Sequence, residues 1–252
     1  MLYLIGLGLN EKSISLEGLE AIKKCKKIYL DNYTVNFPYS EKVLEKIIKK
    51  KIISANRDII ESDKLIKEAK RVHSVPSHSS QKRQMKENNV ALLVYGSPLT
   101  ATTHITLIEE SKKNKIKCEI IYNASIFDAI AETGLQIYKF GKIASMPKWQ
   151  KNFTPSSFME FVKQNLEIGA HSLILIDISL DLKDAIEELE KSAEEYNLKL
   201  GKIVICSRMG TKDKKIIYDK PENLKSREIK KPYCMIIPSK LHFMEQEVLE
   251  KF

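Results

Sequence analysis

The chain has 252 residues, of which 43% are hydrophobic, and a formal net charge of +9. No apolar run reaches the roughly 18 residues that a membrane-spanning helix needs, which excludes a helical membrane span. The lysines are spread along the whole chain, often beside glutamates, and no basic stripe is interleaved with aromatic residues. We therefore expect a solvated, lysine-rich surface that does not bind nucleic acid directly.

The four cysteines are widely spaced, with no CxxC pair and no neighbouring histidine; they are Cys25, Cys118, Cys206 and Cys234. This spacing favours reduced core thiols over disulfides or metal ligands, and it predicts a cytoplasmic protein without a bound metal. The opening residues have neither a basic leader nor a small-residue cleavage site, so they predict a first strand and not a signal peptide.

Strands and helices alternate along the first half. The predicted strands are 3–9, 27–30, 51–53, 90–94 and 118–122, and the predicted helices are 15–24, 40–50, 62–70 and 103–113. Ser15 is a candidate cap for the first helix. Residues 90–94 form an unbroken apolar run, which is typical of a buried strand. The alternation predicts an α/β domain with a mainly parallel sheet.

The second half has a different pattern. We predict helices over 125–133, 155–165 and 182–197, strands over 172–178 and 202–206, two segments (136–140 and 142–146) around Gly141, and sheet edges at 214–218 and 233–237. Several strands follow one another without a helix between them, which predicts a mixed α+β domain. The boundary is placed near Tyr122, giving domains 1–122 and 123–252.

The segment that directly follows the buried strand, residues 96–104, is the strongest candidate for a ligand site. Gly96 permits close backbone approach, Pro98 fixes the turn, and the hydroxyl residues that follow can hold a polar molecule. The alternative is a strand-end turn followed by a threonine-rich helix cap. At the end of this segment, His104 either polarises a ligand or satisfies a buried group.

Other single residues carry weaker signals. Gly6 and Gly8 follow the first strand, but the third glycine of a dinucleotide fingerprint is missing. Asp177 is interpreted as a cap or a structural hydrogen-bond acceptor. Tyr33 either lines a cleft or packs in the core, and Trp149 either gates a cleft or makes a dimer contact. No nucleophile elbow, phosphate loop or metal-ligand spacing is present, so the sequence singles out no catalytic side chain.

Six segments, taken in order, carry a family resemblance. They are residues 2–9, 95–104, 123–126, 133–142, 171–178 and 240–242. Each is a weak signal alone, but their ordered combination is specific and runs nearly from end to end of the chain. The chain resembles the diphthine synthases.

This resemblance implies a two-domain tetrapyrrole-methylase fold, assembled as a homodimer, with S-adenosylmethionine bound in the cleft between the domains. It implies methylation of the amino group of a modified histidine on translation elongation factor 2, a step toward diphthamide. By motif position, the implied cofactor contacts are Leu9, Ser97, Thr100, Ser125, Ile126, Ile176, Met209 and Tyr233. Methyl transfer requires orientation of the two reactants and no nucleophilic side chain, which agrees with these residue types.

Three features depart from the family pattern. Ser97 stands where an aspartate is usual, Tyr233 stands where a histidine is common, and residues 71–86 are interpreted as an inserted loop. The first and third features keep a second hypothesis open, a catalytically weakened dimer that binds the cofactor or a protein. A tetrapyrrole substrate is a third, disfavoured by the motifs of the second half.

Overall fold

In a computed structural model of the chain, residues 1–70 and 88–252 are described; the expected insertion, 71–86, lies outside them. The chain divides into two compact units, Met1–Ser125 and Ile126–Phe252. The boundary that we predicted near Tyr122 lies close to this division. Among the described residues, no helix combines the length and the apolar character that a bilayer crossing demands.

Unit one is built on a five-stranded sheet. Its strands are β1 (Leu2–Gly6), β2 (Lys27–Asp31), β3 (Ile53–Ala55), β4 (Val90–Val94) and β5 (Cys118–Ile121). They lie in the order β3-β2-β4-β1-β5, and all neighbouring pairs are parallel. The predicted mainly parallel sheet is confirmed, and β4 has the bounds and the complete burial that its apolar run indicated.

Among the described residues, five helices connect these strands. They are α1 (Leu16–Lys24), α2 (Glu41–Ile48), α3 (Arg57–Ile60), α4 (Lys64–Lys70) and α5 (Ile105–Lys113). The Ser15 hydroxyl accepts the Gly18 amide at 3.0 Å, so the predicted cap of α1 is confirmed. At the other end of this helix, the Lys50 ammonium donates to the carbonyls of Ile22, Lys23 and Cys25. A cation at this position complements the helix dipole.

The sheet of unit one is covered on both faces. Alternate residues of β1 point to opposite sides, as the period of two requires. Tyr3 and Ile5 pack with α1 and α2, whereas Leu2 and Leu4 pack with α3, α4 and α5. Burial on both faces explains why the central strands are apolar without alternation.

Unit two contains a second five-stranded sheet. Its strands are β6 (Ala144–Met146), β7 (Ser172–Ile176), β8 (Ile203–Ser207), β9 (Lys215–Asp219) and β10 (Tyr233–Ile237), in the order β6-β7-β10-β8-β9. Only β6 and β7 pair in parallel, so this sheet is mixed, as predicted. The expectation that 233–237 forms a sheet edge is wrong. This strand, β10, lies at the centre because both of its faces are apolar and buried.

Helices cover both faces of this second sheet. They are α6 (Ile126–Ala129), α7 (Phe158–Glu167), α8 (Leu182–Glu195), α9 (Pro221–Leu224) and α10 (Phe243–Leu249). One face packs against α7, α8 and α9, and the other against α10 and the turn that follows α6. The helix predicted over 125–133 is shorter than expected, because the chain continues from α6 as a 3₁₀ turn over Ile130–Thr133.

A buried carboxylate joins three of the segments that carry the family resemblance. Glu245 Oε1 accepts from the Gln136 amide at 3.0 Å and lies 3.2 Å from His171 Nε2. Its Oε2 accepts from the His242 amide at 2.7 Å and from the Lys139 ammonium. Burial acts to raise the pKa of Glu245, but these donors outweigh it and hold the pKa at about 2. Residues 133–142, 171–178 and 240–242 are therefore tied together for structural reasons.

The tautomer of His171 follows from the same geometry. Its Nδ1 accepts from the backbone N–H of Ser239 at 3.0 Å. Nε2 therefore carries the proton of the ring and donates it to Glu245. Burial lowers the pKa of His171 despite the carboxylate beside it. The ring is therefore a neutral donor in this network.

We expect Glu245→Gln to destabilise the protein by about 3 kcal/mol at pH 7, because it leaves buried donors without a charged acceptor. The folded pKa of about 2 lies below the ordinary 4.5. This stabilisation is therefore complete above pH 4.5 and is lost as the pH falls toward 2. Denaturant unfolding of both proteins across this range measures it.

Glu247→Gln is the matched control, since Glu247 lies on the same helix in an exposed pair with Lys251. We expect it to cost less than about 0.5 kcal/mol at any pH. Equal losses for the two variants would contradict the assignment of the network.

Candidate functional site

The candidate site in unit one lies at a topological switch point. The connection after β1 leads through α1 to β2. The connection after the neighbouring strand, β4, runs in the opposite direction across the sheet, through α5 to β5. The two helices cover opposite faces of the sheet. In open parallel sheets, this arrangement opens a crevice outside the carboxyl ends of the two strands, and ligands bind there.

The turns after β1 and β4 are bonded directly to each other. The Gly8 amide donates to the Gly96 carbonyl at 3.1 Å, and the Gly96 amide donates to the Gly8 carbonyl at 2.9 Å. Both glycines have positive φ, +68° and +74°. A Cβ on Gly8 would lie 2.4 Å from the Cβ of Ser13, whereas a Cβ on Gly96 would meet nothing closer than 3.7 Å. Gly8 is thus required by packing, whereas a Cβ on Gly96 would make ordinary van der Waals contact with Ser125.

The structure brings the four predicted site residues of unit one to this end of the sheet. Leu9 follows the Gly8 turn, and its carbonyl accepts the Tyr95 hydroxyl at 3.1 Å. Ser97 follows Gly96, and its carbonyl accepts the Thr100 amide at 3.2 Å. Ser125 is buried and lies beside Gly96. Their assignment to the cofactor remains a prediction.

Asn123 fixes the segment that leads to Ser125. Its side-chain amide donates to the carbonyls of Gly6 at 3.1 Å and Ser13 at 2.9 Å. These bonds hold the chain after β5 against the turn after β1. The motif at 123–126 therefore has a structural role in addition to any contact with a ligand.

A buried contact between an aspartate and a histidine was not predicted from the sequence. Asp31, at the end of β2, and His104 are both fully buried, and His104 Nε2 lies 3.2 Å from Asp31 Oδ2. His104 Nδ1 lies 2.9 Å from the Pro98 carbonyl. Of the two alternatives for His104, the structure favours the histidine that satisfies a buried group.

The carboxylate of Asp31 is well supplied with donors. It accepts from the Tyr33 amide at 2.8 Å, the Thr34 amide at 3.1 Å and the Thr34 hydroxyl. Burial acts to raise the pKa of Asp31, but His104, Thr34 and Tyr33 outweigh it and lower the pKa below its ordinary value. The group is therefore held ionised although it has no access to water.

Three of the four predicted site residues of unit two lie at one end of its sheet. Ile176 ends β7, Tyr233 begins β10, and Met209 follows the end of β8. Because β10 runs antiparallel to both of its neighbours, its first residue lies beside the last residues of β7 and β8. The three positions therefore lie at the same end of the strands. The fourth, Ile126, packs with the same apolar cluster as Met209.

The side chain of Tyr233 is not a free ligand group. It is buried, and its hydroxyl donates to the Leu180 carbonyl at 3.1 Å. Burial raises the pKa of this phenol well above its ordinary value. Its hydroxyl is therefore already engaged within unit two.

Two non-glycine residues in the candidate segments have left-handed backbone. Ala101 has φ of +55° and Arg208 has φ of +47°, next to Thr100 and Met209 respectively. This conformation costs on the order of 1 kcal/mol or more and persists only where the surroundings enforce it. Strain of this kind is common at ligand sites.

The remaining candidates have structural partners. The Tyr33 hydroxyl donates to Glu61 at 3.1 Å, and Asp177 accepts the amide and hydroxyl of Ser179, as its predicted structural role requires. The Trp149 indole donates to the Pro155 carbonyl at 3.1 Å. Within residues 1–70 and 88–252, no group of three or more histidine, cysteine or acidic side chains is arranged to hold a metal ion.

The close packing of Gly8 is testable by substitution. We expect Gly8→Ala to destabilise the protein by about 1–3 kcal/mol more than Gly169→Ala, because the new methyl group would collide with Ser13. Gly169 is a matched control: its φ is +75°, but a Cβ there would meet no atom within 4 Å. Denaturant unfolding of both variants measures the difference, and equal losses would contradict the packing argument.

Comparisons with known proteins agree with this geometry. The sequence profile of the tetrapyrrole (corrin/porphyrin) methylases matches residues 1–224. A diphthine synthase of Methanocaldococcus jannaschii is 35% identical over 268 residues, covering 99% of this chain and 98% of that protein. A diphthine methyl ester synthase of Schizosaccharomyces pombe is 39% identical over 199 residues, covering 78% of this chain and 64% of that protein. The chain therefore matches less than two thirds of the yeast relative.

The chain is also similar to a solved structure of a diphthine synthase, with a TM-score of 0.84 and 32% sequence identity. The alignment covers 100% of this chain and 95% of the other chain. The predicted fold and the resemblance to diphthine synthases, and with them the expectation of a methyltransferase, are confirmed. The chain belongs to the tetrapyrrole methylase family.

Proposed function

We propose that this chain methylates the amino group of the modified histidine of translation elongation factor 2, with S-adenosylmethionine as donor. Its similarity over nearly full length to a protein named diphthine synthase is the observation that carries this proposal. We also propose that it acts in the cytoplasm, where its substrate works, and as a homodimer.

The residues of the candidate site fit this cofactor. Ser97, Thr100 and Ser125 offer hydroxyls, and the turns after β1 and β4 offer backbone groups. Such uncharged donors and acceptors suit an adenosine and an amino acid. No lysine or arginine belongs to the set of eight proposed contacts, which agrees with a cationic sulfonium ligand.

When bound, S-adenosylmethionine supplies an electrophilic methyl group attached to a positively charged sulfur. The work left to the chain is to hold the donor, orient it toward the amine and exclude competing acceptors. Fixed orientation alone accelerates such a reaction by several powers of ten. A rigid site made of bonded turns suits this task better than a mobile one.

A weakened dimer that binds the cofactor or a protein is the second candidate. The serine at position 97, where the resemblance implies an aspartate, favours it, because serine brings no negative charge to the cation. Binding and turnover therefore have to be measured separately.

We expect S-adenosylhomocysteine to bind in isothermal titration calorimetry, and we expect the protein to methylate elongation factor 2 that carries the unmethylated modified histidine. Intact mass of the product counts the added methyl groups. Mild alkali then removes a methyl ester and leaves methylated amines intact. Unmodified elongation factor 2 is the control substrate.

The outcomes separate the candidates. Binding with turnover supports the proposed enzyme. Binding without turnover under conditions where an active diphthine synthase works supports the weakened dimer. Failure to bind would contradict both.

We expect Ser97→Asp to strengthen binding of S-adenosylmethionine or to leave it unchanged, because a carboxylate restores a charge-assisted contact with the sulfonium. Thr103→Asp is the control, since it adds the same charge on an exposed side chain of the same segment. Calorimetry measures both. A tenfold loss of affinity in the first variant, about 1.4 kcal/mol, would show that the site has repacked around serine.

A further inference from the structure

A chain of buried polar contacts leads from the end of β2 to the loop that carries Ser97 and Thr100. Asp31 lies 3.2 Å from His104 Nε2, and His104 Nδ1 lies 2.9 Å from the Pro98 carbonyl. Since a carbonyl oxygen only accepts, His104 Nδ1 carries a proton and donates it to Pro98. The two ends of this chain are 67 residues apart in sequence, from position 31 to position 98.

Pro98 makes this contact unusually informative. Its ring fixes φ, so the direction of its carbonyl, which is set by ψ, is the remaining backbone freedom at this residue. That carbonyl accepts from two donors, His104 Nδ1 at 2.9 Å and the Thr102 hydroxyl at 2.7 Å. The two bonds use both lone pairs of the oxygen and leave Pro98 with no free dihedral.

The same loop contains a strained residue. Ala101 has φ of +55° and an exposed side chain, so its own contacts do not explain this conformation. A left-handed alanine persists when neighbouring bonds over-determine the loop. The donors to Pro98, together with the bond from the Thr100 amide to the Ser97 carbonyl, provide that constraint.

Burial of the Asp31 carboxylate beside His104 carries a desolvation cost. An apolar pair of the same volume is often at least as stable as a buried ion pair. The Asp31–His104 pair contacts Pro98, in the loop that carries two of the predicted contacts to the methyl donor, Ser97 and Thr100. In unit two, the buried His171–Glu245 pair has a different use, because His171 accepts from Ser239 and the network holds α10.

We propose that His104, oriented by Asp31, is a positioning residue for the methyl donor: through the Pro98 carbonyl it fixes the backbone of residues 97–101. The proposal rests on the proposed function, because it takes this loop as part of the S-adenosylmethionine site. His104 does not touch the donor. It acts through Pro98, and the affinity for the donor therefore depends on the hydrogen bond from Nδ1.

Two substitutions separate the two nitrogens of the ring. Asparagine places an amide nitrogen near the position of Nδ1, so His104→Asn keeps a donor for Pro98 and loses the contact with Asp31. Glutamine places its amide near Nε2, so His104→Gln keeps a donor for Asp31 and loses the bond to Pro98. Both variants lose the imidazole ring, so a general loss of packing affects both and does not distinguish them.

We expect His104→Gln to raise the dissociation constant of S-adenosylhomocysteine at least tenfold, and His104→Asn to raise it less than threefold. Calorimetry at a temperature where circular dichroism shows both variants folded measures these constants. The KM for S-adenosylmethionine is expected to follow the same order, with a smaller change in kcat. Thr102→Val removes the other donor to Pro98 and keeps the Asp31–His104 contact. We expect it to raise the dissociation constant of S-adenosylhomocysteine at least threefold. This variant remains informative if His104→Gln does not fold.

Glu68→Gln is the control for loss of a buried carboxylate. Glu68 is buried and pairs with Lys27 at 2.8 Å, at the opposite end of β2 from Asp31. We expect it to lower stability and leave ligand affinity unchanged. Equal affinity of the two His104 variants, whether both are weakened or both match the wild type, would overturn the positioning role. Failure of the wild-type protein to bind would instead overturn the proposed function.

Discussion

The mutual hydrogen bonds between Gly8 and Gly96 are the constraint on which the candidate site depends. They join the turns that follow two neighbouring strands whose connections leave in opposite directions. Without this bridge, the two turns would be separate loops at the end of a sheet. With it, Leu9 and Ser97 are held at fixed positions, and the chain after β5 is fixed beside them by Asn123.

Two buried ionised networks support the two units in different ways. In unit two, Glu245 joins distant segments and holds the last helix, so its loss is expected to appear in stability and in the acid limb of unfolding. In unit one, Asp31 and His104 support the loop through Pro98, so their loss is expected to appear in ligand affinity. Since native proteins are stable by only about 5–15 kcal/mol, the expected loss of about 3 kcal/mol at Glu245 is a large part of the total.

Local patterns in the sequence predicted much of the fold. The apolar run at 90–94 predicted β4, and Ser15 predicted the start of α1, because both depend on neighbouring residues. The central position of β10 was missed because the order of strands depends on pairing across the chain. Glu245 and Asp31 were missed for the same reason. Their partners are distant in sequence: Gln136 is 109 residues from Glu245, and His104 is 73 residues from Asp31.

A crystal structure of the protein with S-adenosylhomocysteine would show whether the bridged turns after β1 and β4 hold the cofactor. We expect the ligand to contact the backbone of the turns after β1 and β4 and the hydroxyl of Ser125, with the Gly8–Gly96 bridge intact. Ligand bound away from these turns, or a bridge broken to admit it, would show that the Gly8–Gly96 bridge does not form the cofactor site.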